Sequence, residues 1–134
     1  MSKVEKAAEK HGKGYNCAQA VACSFCEEMK IDESTAKEIS KKYGGGAFKT
    51  CGAVMGMYIV NNSMSGERDL DNPAEWKNIN NEQLQELEKT FKDKNGSVIC
   101  AELKGRTGNK VLRSCRGCVE DAAMILEKYL ENQK

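Results

Sequence analysis

Proline occurs once in this 134-residue chain, histidine once, and aromatic residues make up only 6%. A single proline leaves nearly the whole chain free of the strongest helix breaker. A single histidine leaves little scope for a Cys/His dyad. His11 is expected to be a solvated residue near a helix end, although Cys17 stands close to it in sequence. Few aromatics exclude a base-stacking platform. Charge of one sign is also missing: 21 Lys and Arg against 20 Asp and Glu give a net charge of +1. No strong field is available to recruit nucleic acid or an anionic membrane. No segment approaches the roughly 20 apolar residues that span a bilayer. The opening residues Met1-Ser-Lys-Val-Glu-Lys6 are charged and run into a helical pattern, unlike a signal peptide. The chain is therefore expected to be cytoplasmic, with no membrane or nucleic-acid partner.

Frequent Ala, Glu, Lys and Leu, and no alternating β-branched run, predict an all-α fold. The expected architecture is one domain over residues 1–134, a compact bundle of five or six helices with one long loop at about 61–80. Helices are expected at about Ser2–His11, Cys17–Met29, from the Asp32 cap to Tyr43, Cys51–Asn61, Asn81–Lys94 and Cys115–Leu130, with a short element at Ser97–Leu103. The helix at 51–61 is apolar nearly all round and is expected at the centre. The loop holds Pro73 and Trp76, and Lys104–Lys110 reads as a basic loop. Gly44-Gly45-Gly46 lacks phosphate-loop or dinucleotide spacing. It reads as a turn that lets backbone approach the Cys51 helix closely. Met55, Met57 and Met64 suit core filling, and Glu27 and Glu28 a solvated surface.

What the chain does have is cysteine. Seven occur, at 17, 23, 26, 51, 100, 115 and 118. An odd number cannot all pair internally, and a reducing compartment disfavours a disulfide framework. Metal ligation, redox chemistry or plain burial remain. Asn16 precedes Cys17, Thr50 precedes Cys51, Ser114 precedes Cys115, and Ser97 lies three before Cys100. Asn, Thr and Ser are favoured helix caps. The pattern puts Cys17, Cys51 and Cys115 at first helical positions and Cys100 in a first turn. Unpaired N–H groups and the positive helix end stabilise thiolates there. Four such ends meeting at one point would hold an iron–sulfur cluster, or tetrahedral zinc. The intervals match no ferredoxin or zinc-finger spacing, so remote segments must bring the sulfurs together.

In the last helix Cys115 lies roughly 40° from Val119 and falls on the apolar stripe, whereas Cys118, about 100° from it, falls on the flank. Cys115-Arg-Gly-Cys118 could act as a dithiol, with Arg113 and Arg116 favouring the thiolate. Cys23 and Cys26 form a second C-x-x-C in mid-helix without basic neighbours and read as small hydrophobes. Neither pair is followed by His, which disfavours covalent haem attachment.

Tyr15-Asn-Cys17-Ala-Gln-Ala-Val21, Gly44-Gly-Gly46 and Cys51-Gly-Ala-Val-Met-Gly56 resemble the bacterial and archaeal family named for a C…GCAxxG…C…C pattern and described as redox-active. Phe91-Lys-Asp-Lys-Asn-Gly96-Ser-Val-Ile-Cys100-Ala-Glu-Leu-Lys-Gly105, Ser114-Cys115 and Val119-Glu-Asp-Ala-Ala123 extend the likeness from about residue 5 to 130. Cys51 precedes Gly52, where the family name writes Gly first. A similar module stands beside the haem domain of split-Soret cytochromes, associated with an iron–sulfur centre. The resemblance implies Cys17, Cys51, Cys100 and Cys115 as the family's cysteines, the same four that capping selects. It leaves Cys23, Cys26 and Cys118 outside the pattern.

Three functions follow as expectations. The first is an iron–sulfur protein for electron transfer or sensing, with Cys17, Cys51, Cys100 and Cys115 as ligands. Lys49, Lys104, Arg106, Lys110, Arg113 and Arg116 would offset its charge. The second is a thiol–disulfide oxidoreductase using Cys115 and Cys118, or Cys115 with another clustered cysteine. The third is a structural four-thiolate zinc domain or a metal-free helical interaction module. A redox partner protein is expected for the first two, and a homodimer is possible for any.

Overall fold

A computed structural model describes residues 2–44, 50–64, 81–105 and 111–131. Among them lie eight α-helices: α1 (Lys3–Gly12), α2 (Cys17–Cys23), α3 (Cys26–Met29), α4 (Glu33–Ser40), α5 (Gly52–Met64), α6 (Asn81–Asn95), α7 (Cys100–Leu103) and α8 (Cys115–Glu131). A 3-10 turn, Lys41–Tyr43, extends α4. Among the described residues there is no strand, only an isolated antiparallel bridge between Thr50 and Ile99. The all-α expectation holds.

Local chemistry explains most boundaries. Ser2 Oγ accepts from the Glu5 N–H and starts α1. Asn16 and Gln19 form a reciprocal capping box at the start of α2. Asp32 accepts from the Thr35 N–H at 2.7 Å and starts α4.

Two expected boundaries are corrected. The helix expected over 17–29 breaks at Ser24–Phe25. Ser24 and Phe25 donate to Val21 and Ala22 across three residues rather than four, and Ser24 Oγ donates to the Ala20 carbonyl. Phe25 leaves helical geometry at φ −117° and is buried. Seating that ring in the core overrides the local helical pattern. The loop expected over 61–80 begins later, because α5 continues to Met64. Residues 65–80, with Pro73 and Trp76, lie outside the described residues, as do Gly45, Gly46, Lys49, Arg106 and Lys110.

Helix α5 is the centre of the core. Every residue from Cys51 to Asn61 is buried, and the helix packs against α2, α6 and α8. Its approach to α2 is close because both surfaces are small. Ala18, Ala20 and Ala22 are fully buried on α2. A Cβ built at Gly56 would stand 2.7 Å from Val21 Cβ, and one at Gly52 would stand 3.0 Å from Cys17 Cβ. The first distance is too short for a side chain and the second is tight, so glycine at 56 is what lets the two backbones meet. The start of α2 is thereby set against the start of α5. Gly44 belongs to the same packing, since its Cβ would fall 2.2 Å from Asn16 Cγ.

Two further ties bring in the remaining segments. Beside the Thr50–Ile99 bridge, the Cys51 N–H donates to the Val98 carbonyl at 2.7 Å. The N–H groups of Leu112 and Arg113 both donate to the Leu103 carbonyl. The starts of α2, α5, α7 and α8 are therefore neighbours.

Candidate redox centre

Five sulfurs line one small cavity: Cys17, Cys51, Cys100, Cys115 and Cys118, together with Gly52, Leu103, Lys104 and Arg113. Its free volume is about 10 Å³, close to that of a single water-sized sphere. Cys17 is the first residue of α2, Cys100 of α7 and Cys115 of α8. Ser114 caps α8 by accepting from the Gly117 N–H at 3.0 Å.

Cys51 differs from the expectation. Thr50 is not the cap of α5, because it is held in the bridge to Ile99. Cys51 takes that position itself, its carbonyl accepting from Met55 and its sulfur accepting from the N–H groups of Ala53 and Val54. The inverted order of Cys51 and Gly52 thus puts sulfur at the cap. It leaves glycine where α5 meets the Cys17 side chain.

Helix ends do not act equally on the sulfurs. Cys51 is lowered to about 7, first by a hydrogen bond from the Cys118 thiol and then by the two backbone N–H groups and Lys104, against the opposing effect of burial. Cys17 moves the other way, to about 12, because burial outweighs every other influence and the neighbouring Cys51 and Cys115 add like charge. Cys118 is raised by donating to Cys51 and by burial. The expectation that each helix start lowers its thiol therefore fails at Cys17: desolvation of a buried charge exceeds the attraction of the helix end.

Cys118, expected as the dithiol partner of Cys115 and left out of the four-ligand set, also lines the cavity. It is 2% exposed, while Cys115 is only half-buried, the reverse of the stripe-and-flank expectation. The apolar stripe of α8 describes the body of the helix, whereas its first turn projects into the cavity and obeys the geometry of that site. The C-x-x-C spacing at a helix start was the signal, since it puts both sulfurs in one turn. Cys51 is the strongest influence on Cys118, ahead of Cys17 and Cys115, and Cys115 acts in turn on Cys17 and Lys104. His11 also belongs here, with Nε2 3.8 Å from Cys17 Sγ. Burial lowers it first, then the charges of Arg116 and Lys104, so it is neither fully solvated nor remote from the sulfurs.

Arg113 is held over the cavity. Its Nε donates to Asp121 Oδ2 at 3.0 Å, and the buried Asp121 also pairs with Lys94 at 3.2 Å. Gly117 makes the crossing possible, because a Cβ there would lie 2.4 Å from Arg113 Nε.

Cys23 and Cys26 lie elsewhere, beside a cavity of about 320 Å³ bordered by Lys3, Lys10 and Glu33. Burial raises Cys23 to about 12 and raises Cys26 as well. Cys26 donates to the Cys23 carbonyl.

Five thiols from four segments are a donor set that suits an iron–sulfur cluster or four-thiolate zinc. As the side chains stand, no three His, Cys, Asp or Glu residues among the described residues are arranged to hold a metal ion. Loading such a centre therefore requires the cysteine side chains to turn toward a common point. No helix among the described residues is long and apolar enough to cross a membrane.

No curated protein and no solved structure matches the chain. The sequence model of the family described as "Putative redox-active protein (C_GCAxxG_C_C)" matches residues 15–129. That span takes in every cysteine of the cavity and most of the 134 residues, and the chain belongs to this family.

Proposed function

We propose that the cysteine cavity is a redox centre that holds an iron–sulfur cluster for electron transfer or sensing, with Cys17, Cys51, Cys100 and Cys115 as its ligands. The observation that carries this reading is the meeting of four helix starts, each bearing a cysteine, around one point. An iron–sulfur cluster supplies reversible one-electron chemistry when bound. The chain's own residues do the rest. Cys51, lowered to about 7, gives up its proton more readily than an ordinary thiol. Lys104 and Arg113 bring positive charge to a set of anionic sulfurs. The stretch 51–61, buried throughout, excludes water behind them.

The test is anaerobic purification followed by visible absorption and iron and sulfide analysis. Brown protein with stoichiometric iron and sulfide is expected, and Cys→Ala at 17, 51, 100 or 115 should lower the iron content while Cys23→Ala should not. A protein that stays colourless after anaerobic reconstitution overturns the reading. Stoichiometric zinc without sulfide would identify a structural zinc domain instead.

One observation favours a second reading, a thiol–disulfide oxidoreductase. The Cys118 thiol donates to Cys51, which it helps to lower to about 7. In this reading the Cys51 thiolate attacks a substrate disulfide and releases one thiol. Cys118, giving up its proton, then attacks the mixed disulfide and releases the second. The substrate gains two electrons and two protons, and a Cys51–Cys118 disulfide remains. The pairing expected from sequence, Cys115 with Cys118, is the competing product. Peptide mapping after oxidised glutathione treatment of the metal-free protein separates the two, and failure to form either disulfide ends this reading.

A further inference from the structure

Charge is balanced over the whole chain but not around the cysteine cavity. From Lys104 to Arg116 the sequence carries five cations and no carboxylate. Lys104 and Arg113 line the cavity, and Arg116 stands on the first turn of α8 with its side chain 67% exposed. Arg116 and Lys104 both act on His11, which lies 3.8 Å from Cys17 Sγ. Nearby carboxylates are already engaged. Asp121 is buried between Arg113 and Lys94, and Glu120 makes only a long exposed pair, 4.0 Å, with Arg116.

Apolar surface lies beside these cations. Val111 and Leu112 are the exposed large hydrophobic residues among the described residues, at 62% and 39%. Leu112 is held in place because its N–H and that of Arg113 bond to the carbonyl of the cavity residue Leu103. Cys115, alone among the five cavity cysteines, is not fully buried. An apolar patch with a rim of one charge beside the least buried sulfur has the make-up of a transient docking surface, in which the rim steers and the patch is dehydrated on contact.

We propose that this face docks an acidic one-electron redox protein, whose carboxylates meet Lys104, Arg113 and Arg116 while an apolar patch covers Val111 and Leu112, and that the electron passes at Cys115. The proposal rests on the redox-centre reading. One electron moves from the reduced to the oxidised protein, with no bond made or broken. Nucleic acid fits the face less well, since no aromatic residue lies between Phe91 and Tyr129 to stack on bases, and the apolar pair needs an apolar counterpart.

The test is stopped-flow oxidation of the cluster-loaded, reduced protein by two haem acceptors, an acidic b-type cytochrome and the basic cytochrome c. With the acidic acceptor the second-order rate should fall about tenfold or more from low to roughly 0.3 M salt. Arg116→Glu should lower its low-salt rate several-fold without altering the visible spectrum of the centre. Leu112→Ser should lower the rate while keeping its salt dependence. With cytochrome c the rate should rise with salt. Rates indifferent to salt and to Arg116→Glu, preference for the basic acceptor at low salt, or displacement of the acidic cytochrome by duplex DNA would each overturn the docking proposal alone. A reconstituted protein that reduces neither acceptor at any salt overturns the redox-centre reading and the docking proposal with it.

Discussion

At the scale of single residues, the Cys51 thiol is governed first by its neighbour Cys118. Cys51 is lowered to about 7, first by the Cys118 hydrogen bond. In the reduced, metal-free protein, alkylation of Cys51 followed by peptide mass spectrometry should therefore reach half-maximum near pH 7, with Cys17 and Cys23 unreactive until far more alkaline pH. Cys118→Ala should move the Cys51 midpoint upward, and an unchanged midpoint would remove Cys118 as the cause. The linkage has a definite sign. A thiol whose folded value lies below its unfolded one stabilises the fold at pH above the unfolded value, about 9, and loses that contribution as pH falls through about 7. The stability difference between the native chain and Cys51→Ala, from urea midpoints, should thus widen between pH 7 and 9. Asn16 and Ser114 were legible as caps because capping is local chemistry. Cys51 was not legible as its own cap, because the bridge that occupies Thr50 comes from residues 98 and 99.

Among the helices, the contact between α2 and α5 is the element on which the site depends. A methyl at Gly56 would meet Val21 Cβ at 2.7 Å, so Gly56→Ala should destabilise by about 1–3 kcal/mol through overpacking. Gly12, in the last turn of α1, has nothing within 4 Å of its Cβ position, and Gly12→Ala should be neutral or stabilising by up to about 1 kcal/mol. Chemical denaturation of the two variants checks the contrast. Asp121 is a second sensitive point. Asp121→Asn keeps the shape but weakens the pairs to Arg113 and Lys94, both partly exposed, and should cost about 1–3 kcal/mol. Periodicity and caps made α1, α4, α5, α6 and α8 readable in the sequence to within a few residues. The break after α2 was not, because nothing local to Ser24 and Phe25 announces that the ring will be drawn inward.

For the whole molecule, the all-α class was plain from composition, and Cys17 and Cys115 could be picked out by the caps Asn16 and Ser114. Thr50 and Ser97, which pointed to Cys51 and Cys100, do not cap those helices. The meeting of the cavity cysteines could not be read, since it depends on glycine contacts and backbone ties between segments far apart in sequence. Binding that favours the folded state raises stability by mass action, about 2.7 kcal/mol at a free ligand concentration 100 times Kd. The cluster-loaded protein should therefore melt several degrees above the metal-free form, and equal midpoints by calorimetry would place the iron outside the fold. The spread of the sulfurs from Cys17 to Cys118 also dictates timing. A nascent chain that has emerged only as far as α7 offers three of the five thiols and lacks the helix that closes the cavity. In the cluster-binding reading proposed above, insertion waits until α8 has emerged, and until then the cysteines depend on the reducing power of their surroundings.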